Sequence, residues 1–405
     1  MGKKFSLLDI FSGPGGLSLG LQLSEFFEPT VAIENNHYAA GTYQRNFPNS
    51  SVIEAKVESV SSKDVLKKAR IHGFQRIDAI CGGPPCRPFS KANRGKTQWK
   101  VVKSVKKISV HPDWKNYLRF VKELKPKFVI AENVMGFRSN KDVSSYFVRN
   151  LKKLGYTVHS PILESDKSGV PQRRKRILII AIRAKVPEKS LQPLQSGEQL
   201  KVIDAIYDLP SLSNENPGSF VSKYEDKKIS PYASKLKGTQ KTLYNHQAHS
   251  VHDVMKKRFS FILQGYNLKR AWTEKMIPKE VLRSSYALMG RRRLYTIKSL
   301  EKIHSNIYRR LSWGEICPTL TNARKTVLIH PSQDRLLSVR ECARLQSFPD
   351  FFAFSGSLNQ QYQQVADAVP PLLMIDVANV IVPAYRIAKT SVKLAKTVAL
   401  AQAIL

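Results

Sequence analysis

The chain of 405 residues is long enough to bury a sizeable core and to form two or three domains. Hydrophobic and aromatic contents of 42% and 9% are ordinary, but 66 Lys and Arg against 31 Asp and Glu leave a net charge of +35, which favours a polyanionic partner, nucleic acid ahead of an anionic membrane. No uninterrupted run of eighteen apolar residues, secretory leader pattern or CxxC pair is present, so the expectation is a soluble cytoplasmic protein with no membrane association, structural metal or disulfide framework.

FSLLDIF, residues 5 to 11, reads as a buried strand; SGPGG breaks it, and LSLGLQLSEFF continues as a helix. VAIE, residues 31 to 34, is a second strand ending in an acid. Strand, glycine turn, helix, strand and acid form a nucleoside-binding half of a doubly wound sheet, in which Glu34 can accept from ribose hydroxyls. Gly13, Gly15 and Gly16 lack the GxGxxG spacing that seats a pyrophosphate, so a nucleoside cofactor without phosphates fits better than a dinucleotide.

Further apolar runs follow at IDAI (77 to 80), KFVIA (127 to 131), TVHSPIL (157 to 163) and RILIIAI (176 to 182), with helical patterns such as WKNYLRFVKEL between them. The fold class is therefore α/β with a mostly parallel sheet, the last two runs forming a hairpin. Ligands in such sheets bind beyond the carboxyl ends of the strands. Cys86 after IDAI, Glu132 after KFVIA, and the segment GVPQRRKR all belong to that edge.

From about 185 to 310 the chain is polar, Pro/Gly/Ser-rich and without sustained periodicity, which suits an irregular second domain with basic clusters at 256 to 258 and 291 to 293. The expected division is 1–185 plus 355–405 for a catalytic, cofactor-binding domain and 186–354 for a smaller domain. The final fifty residues read as an apolar-faced helical segment that must dock on something.

GGPPCRPFS, residues 82 to 90, follows the IDAI strand. Prolines stiffen it, Gly82 and Gly83 permit close approach, and Arg87 adds charge beside the Cys86 sulfur, as a working thiolate requires. Cytosine carbon 5 becomes nucleophilic once a thiolate adds to carbon 6, a step helped by an acid at ring nitrogen 3, and Glu132 can be that acid.

With these stretches in order, the sequence resembles the DNA (cytosine-5) methyltransferase family, of the bacterial restriction-modification kind. DIFSGPGGLSLG, IENN, GGPPCRPFS, ENV and QRRKRI resemble its first, second, fourth, sixth and eighth motifs. SWGEICPTLTNARKTVLIHP with RLLSVRECARLQSFPD resembles the ninth, and QQYQQVADAVPPLL the tenth. The resemblance implies an S-adenosylmethionine-dependent, Rossmann-like catalytic domain, a target-recognition domain at 186–354 and release of S-adenosylhomocysteine. It implies a covalent Cys86 adduct on a flipped-out cytosine, aided by Glu132, Arg174 and Arg176, with Arg176 at the base carbonyl; a purely structural role stays open for Glu132 as a helix-capping acid and for Arg173 facing solvent or backbone.

By the same resemblance, Phe11, Ser12, Gly13, Gly15, Gly16, Glu34, Asn35, Val57, Pro85 and Asp367 bind the cofactor. Arg87, Ser90, Lys91, Arg94, Lys96, Lys115, Thr319 and Thr321 meet DNA. The basic stretch 91 to 107 is a candidate closing loop over the extruded nucleotide. Double-stranded DNA is the expected partner of a monomeric enzyme, with a separately encoded restriction endonuclease as companion. Alternatives are a tRNA cytosine-5 methyltransferase and a DNA-binding regulator on the same fold. The chain departs from the family at Ala55 and Lys56, where Gly-Asp is frequent, at Ala366 and Asp367, where Gly-Asn is usual, and at Arg87, where Gln is usual.

Overall fold

The computed structural model describes residues 3–84, 112–139, 141–195, 197–213, 215–283 and 308–404. They form two compact units: 1–168, 175–196 and 369–405 make the first, and 169–174 with 197–368 make the second. The second unit thus begins at 197 rather than at the expected 186 and runs to 368 rather than 354, and it also takes the short piece 169–174 from inside the expected catalytic domain. Sequence texture marks where loops begin, whereas the division follows which residues pack together.

The first unit is built on an eight-stranded sheet of β1 (Phe5–Ile10), β2 (Phe27–Glu34), β3 (Ser51–Glu54), β4 (Ala79–Gly82), β5 (Phe128–Asn133), β6 (Thr157–His159), β7 (Ile162–Glu164) and β8 (Lys175–Ile182). Strand order is β3-β2-β1-β4-β5-β8-β6, with β7 also pairing with β8. The first five strands run parallel, and β8 is antiparallel to β5, β6 and β7. The expected hairpin partner TVHSPIL is two short strands rather than one. Pro161 has no N–H to give to a ladder, and its carbonyl accepts from Leu178 N at 3.0 Å in the gap between them.

Alternation along the strands fills both faces of the sheet. Leu8, Ile10, Val31, Ile33, Ile80 and Val129 pack on one face with Trp114, Tyr117 and Phe120. The last three come from α4 (Pro112–Leu124), which follows α1 (Gly16–Leu23), α2 (His37–Asn46) and α3 (Ser62–Ile71) in the chain. Leu7, Phe27, Ala79, Phe128 and Ile130 face the other way and meet Leu373, Met374, Val377, Ile381 and Val382 of the C-terminal helix Pro371–Ile404. Each such side chain, once fully buried, contributes about 1.5–3 kcal/mol. The stretch 358–392 contains a window apolar enough to cross a bilayer by length and composition, and 61% of that window is buried inside the protein.

Docking of the C-terminal helix depends on Gly20 of α1: a Cβ there would sit 2.1 Å from the Pro371 carbonyl oxygen. Only a residue without a side chain permits that approach.

The second unit is irregular, with short helices and two-stranded ladders around a core that includes Phe259, Ile262, Leu268, Tyr308, Ile329 and Leu336. Buried ion pairs hold the stretch read as the ninth motif. On the helix Val339–Leu345, Arg344 meets Asp208 at 2.6 Å and Asp350 at 2.7 Å, and Glu341 meets Arg335 at 2.6 Å. Burial alone would raise the Glu341 carboxyl, but the Arg335 guanidinium overrides it and holds Glu341 well below the usual carboxylate range.

Candidate active site

At the carboxyl end of β1 the chain turns through Phe11, Ser12, Gly13, Gly15 and Gly16 into α1. Phe11 takes φ 59°, a left-handed conformation that costs a non-glycine residue on the order of 1–3 kcal/mol. It is held there by donation from Phe11 N to the Ile33 carbonyl at 3.0 Å. Gly15, at φ 101°, lies over the rings of Tyr43 and Phe47, and a Cβ would come within 2.5 Å of Phe47. At the end of β2 the two Glu34 carboxylate oxygens accept from Gly13 N and Asn36 N, each at 2.8 Å. Glu34 therefore fixes the glycine turn while keeping acceptor capacity for hydroxyls. Asn35 is exposed beside it, and Val57, just past β3, is buried.

Beneath this turn sits a polar group hidden in an apolar strand. Asp9 is fully buried; its Oδ2 accepts from Ser18 Oγ at 2.7 Å, and the Tyr43 hydroxyl donates to Ser18 Oγ at 2.8 Å. Oδ1 has no nitrogen or oxygen hydrogen-bond partner among the described residues. Burial pushes the Asp9 carboxyl up to about 7, against hydrogen bonds from Ser18 and Cys81. The unfolded carboxyl loses its proton near pH 3.9, so stability falls as pH rises from about 4 to about 7 and is level above, at a cost on the order of 4 kcal/mol. Asp9→Asn, which carries no such proton, should be more stable than the parent at pH 8 by up to that amount and equal to it at pH 4. Urea denaturation at the two pH values checks this, and a pH-independent difference would refute it.

At the carboxyl end of β5, Glu132 is buried with its Oε1 2.7 Å from Arg176 Nε of β8. The pair is an ion pair poorly aligned for a hydrogen bond, since neither atom has a hydrogen-bond partner among the described residues. Gly83 leaves the space in front of the acid open, because a Cβ there would stand 3.3 Å from Glu132 Oε2. The neighbouring Asn133 donates from Nδ2 to the Pro84 carbonyl at 2.9 Å, and its Oδ1 accepts from Val134 N. Asn133 thus ties the acid-bearing strand end to the segment leading into the cysteine. The sequence reading missed this residue, although its place inside ENV was the available signal.

Cys86, Pro85, Arg87, Ser90, Lys91, Arg94 and Lys96 lie outside the described residues, as does the candidate closing loop 91 to 107. The other three cysteines, Cys81, Cys317 and Cys342, are buried, and burial pushes each thiol above its ordinary range. None of them is suited to serve as a thiolate nucleophile.

The two arginines paired in the sequence reading have different surroundings. Arg176 belongs to the first unit and faces Glu132, whereas Arg174 belongs to the second. Arg174 is buried, and its Nη1 donates to the carbonyls of Ala366 at 3.1 Å and Leu320 at 3.4 Å, which is the work of a backbone tie. Arg173 is exposed. In the second unit, Asp367 is exposed and accepts from Gln363 Nε2 at 3.0 Å, Thr319 donates to the Arg173 carbonyl, and Thr321 donates to Thr326 Oγ1. Lys115 is exposed on α4 of the first unit.

Comparison with known proteins identifies the family. The model of the C-5 cytosine-specific DNA methylase family matches residues 5–383. The type II methyltransferase M.DdeI of Desulfomicrobium norvegicum is 30% identical over 386 residues, covering 91% of this chain and 86% of that protein. M.PspPI of Psychrobacter sp. is 29% identical over 390 residues, covering 94% and 79% respectively. Among solved structures, a prophage-encoded protein of E. coli described as a DNA modification methyltransferase superposes with a TM-score of 0.70 at 22% identity, covering 95% of this chain and all of that one. That last similarity speaks for the fold.

Proposed function

Because the chain belongs to the C-5 cytosine-specific DNA methylase family, we propose that it transfers a methyl group from S-adenosylmethionine to carbon 5 of a cytosine extruded from duplex DNA, through a transient Cys86 adduct. The observation that carries this reading is the buried Glu132–Arg176 pair at the end of β5, beside the open space at Gly83 and joined through Asn133 to the segment that leads into Cys86.

In this reading Phe11, Ser12, Gly13, Gly15, Gly16, Glu34, Asn35 and Val57 hold the cofactor. The fit rests on a glycine turn without pyrophosphate spacing and a carboxylate at the end of β2 with acceptor capacity to spare. When bound, S-adenosylmethionine supplies an electrophilic methyl group on a sulfonium. The Cys86 thiolate adds to carbon 6 of the base while Glu132 engages nitrogen 3 and the amino group. Arg176 orients the Glu132 carboxyl and meets the base carbonyl. Carbon 5, now nucleophilic, would take the methyl group as its bond to the sulfonium breaks and S-adenosylhomocysteine leaves; loss of the carbon-5 proton to a solvent base and of Cys86 as its thiolate then restores the ring. Arg174, buried in the second unit, holds the backbone at Leu320 and Ala366.

The net charge of +35 supports a DNA substrate, with Arg87, Ser90, Lys91, Arg94, Lys96, Lys115, Thr319 and Thr321 as contacts and the second unit as the reader of sequence. The protein acts as a monomer in the cytoplasm, at the nucleoid. Its kinship with type II methyltransferases supports a separately encoded restriction endonuclease as companion.

Incubation with methyl-labelled S-adenosylmethionine should label duplex DNA and leave tRNA unlabelled. Label on tRNA alone would overturn the substrate, and tight DNA binding without any transfer would favour a regulator.

A further inference from the structure

The geometry points to Arg119 of α4 as a positioning residue for the adenosine side of the cofactor, an inference that rests on the reading above. Beyond Glu54, the end of β3, the chain runs along the carboxyl edge beside β2, where Ala55 N donates to the Glu34 carbonyl at 3.1 Å. A tight turn over Val57–Ser59 follows. Where the family often places an acid in this segment, the chain has Lys56, which is exposed and whose carbonyl accepts from Ser59 N and Oγ. With no carboxylate at that position, the path of the turn's backbone has to shape the adenosine side of the proposed cofactor site.

One guanidinium nitrogen closes that turn from outside. Arg119 Nη2 donates to the Val57 carbonyl at 3.1 Å and to the Val60 carbonyl at 2.9 Å, so a single charged donor spans both ends. The Ser59 bonds to the Lys56 carbonyl hold the start of the turn, whereas the bond at its far end, Val60 N to Val57 O, is long at 3.4 Å, and there the arginine is the firmer support. Arg119 is itself oriented: its Nη1 lies 3.8 Å from Glu123 Oε2, an oxygen that also accepts from Ser62 Oγ at the start of α3. The side chains of Val57 and Val60 are locked in the core, so what Arg119 controls is the path of the backbone between them.

The test is calorimetric titration of the full chain with S-adenosylhomocysteine and with 5′-methylthioadenosine, which carries the adenosine half alone. Arg119→Ala should weaken both by about tenfold, and Arg119→Lys, one atom shorter and able to reach a single carbonyl, by about threefold. Steady-state assays should show KM for the methyl donor rising in step while kcat at saturating donor stays within about twofold. Circular dichroism and ligand-free melting establish that each variant is folded; should the alanine variant not fold, the lysine variant carries the test. Unchanged affinity for both ligands in folded variants would overturn the inference, as would a fall in kcat with affinity preserved. Failure of the unmodified protein to bind either ligand would instead strike at the cofactor reading itself.

Discussion

Replacing Cys86 with alanine will abolish methyl transfer to duplex DNA while leaving S-adenosylhomocysteine binding intact. Carbon 5 of cytosine has no nucleophilic character to speak of until carbon 6 is attacked, so removing the sulfur removes the route and not a refinement of it. The expected loss is on the order of 10⁴-fold or more, equivalent to about 5 kcal/mol of barrier. No other cysteine can stand in: Cys81, Cys317 and Cys342 are buried with thiols held protonated. The measurement is a radiolabel assay paired with a duplex carrying 5-fluorocytosine at the target, where the fluorine blocks release. The unmodified enzyme should form an adduct that survives denaturing electrophoresis, and Cys86→Ala should form none. An adduct in the variant, or activity within tenfold of the parent, would remove Cys86 from the mechanism.

Glu132→Gln will keep the shape of the site and remove the acid, and activity should fall by about 10²–10⁴-fold. The residue is buried at the end of β5 with Arg176 2.7 Å from its carboxylate. Gln cannot compensate the guanidinium, so Arg176 loses its counter-charge as well, and truncating one partner of a buried pair is itself costly. Melting temperature therefore has to be measured alongside kcat. A loss of activity that tracked unfolding, and vanished at a temperature where the variant is fully folded, would assign Glu132 to the scaffold. A loss that persisted in the folded variant, with DNA binding retained, fits an acid acting on the base.

The sheet and its loaded edge were legible because they are written locally. Apolar runs ending in Asp9-Ile10, Glu34 and Glu132 announce strands whose carboxyl ends carry acids, and the glycines between β1 and α1 announce the turn. Other features were hidden for identifiable reasons. The acid of Asp9 is visible in its strand, but its burial against Ser18 and Tyr43 depends on two helices elsewhere in the chain. Arg119 on an amphipathic helix looks like any solvated arginine until the Val57 and Val60 carbonyls are placed beside it. Arg174 and Arg176 stand two apart and read as one functional pair, yet the boundary between the units passes between Arg174 and Lys175. The break in TVHSPIL was available in Pro161, and the run was read through it.

The C-terminal helix has a consequence for how the protein is made. One face of the central sheet is covered by residues from Leu373 to Val382, which leave the ribosome after every strand of that sheet. Until they emerge, Leu7, Phe27 and Ile130 on the nascent polypeptide have only the partial cover of Leu17, Leu21, Leu163 and Leu191, while every residue of the second unit has already been synthesised. The unit that carries the central sheet is thus completed only after the second unit has been synthesised, when a segment seated against Gly20 arrives.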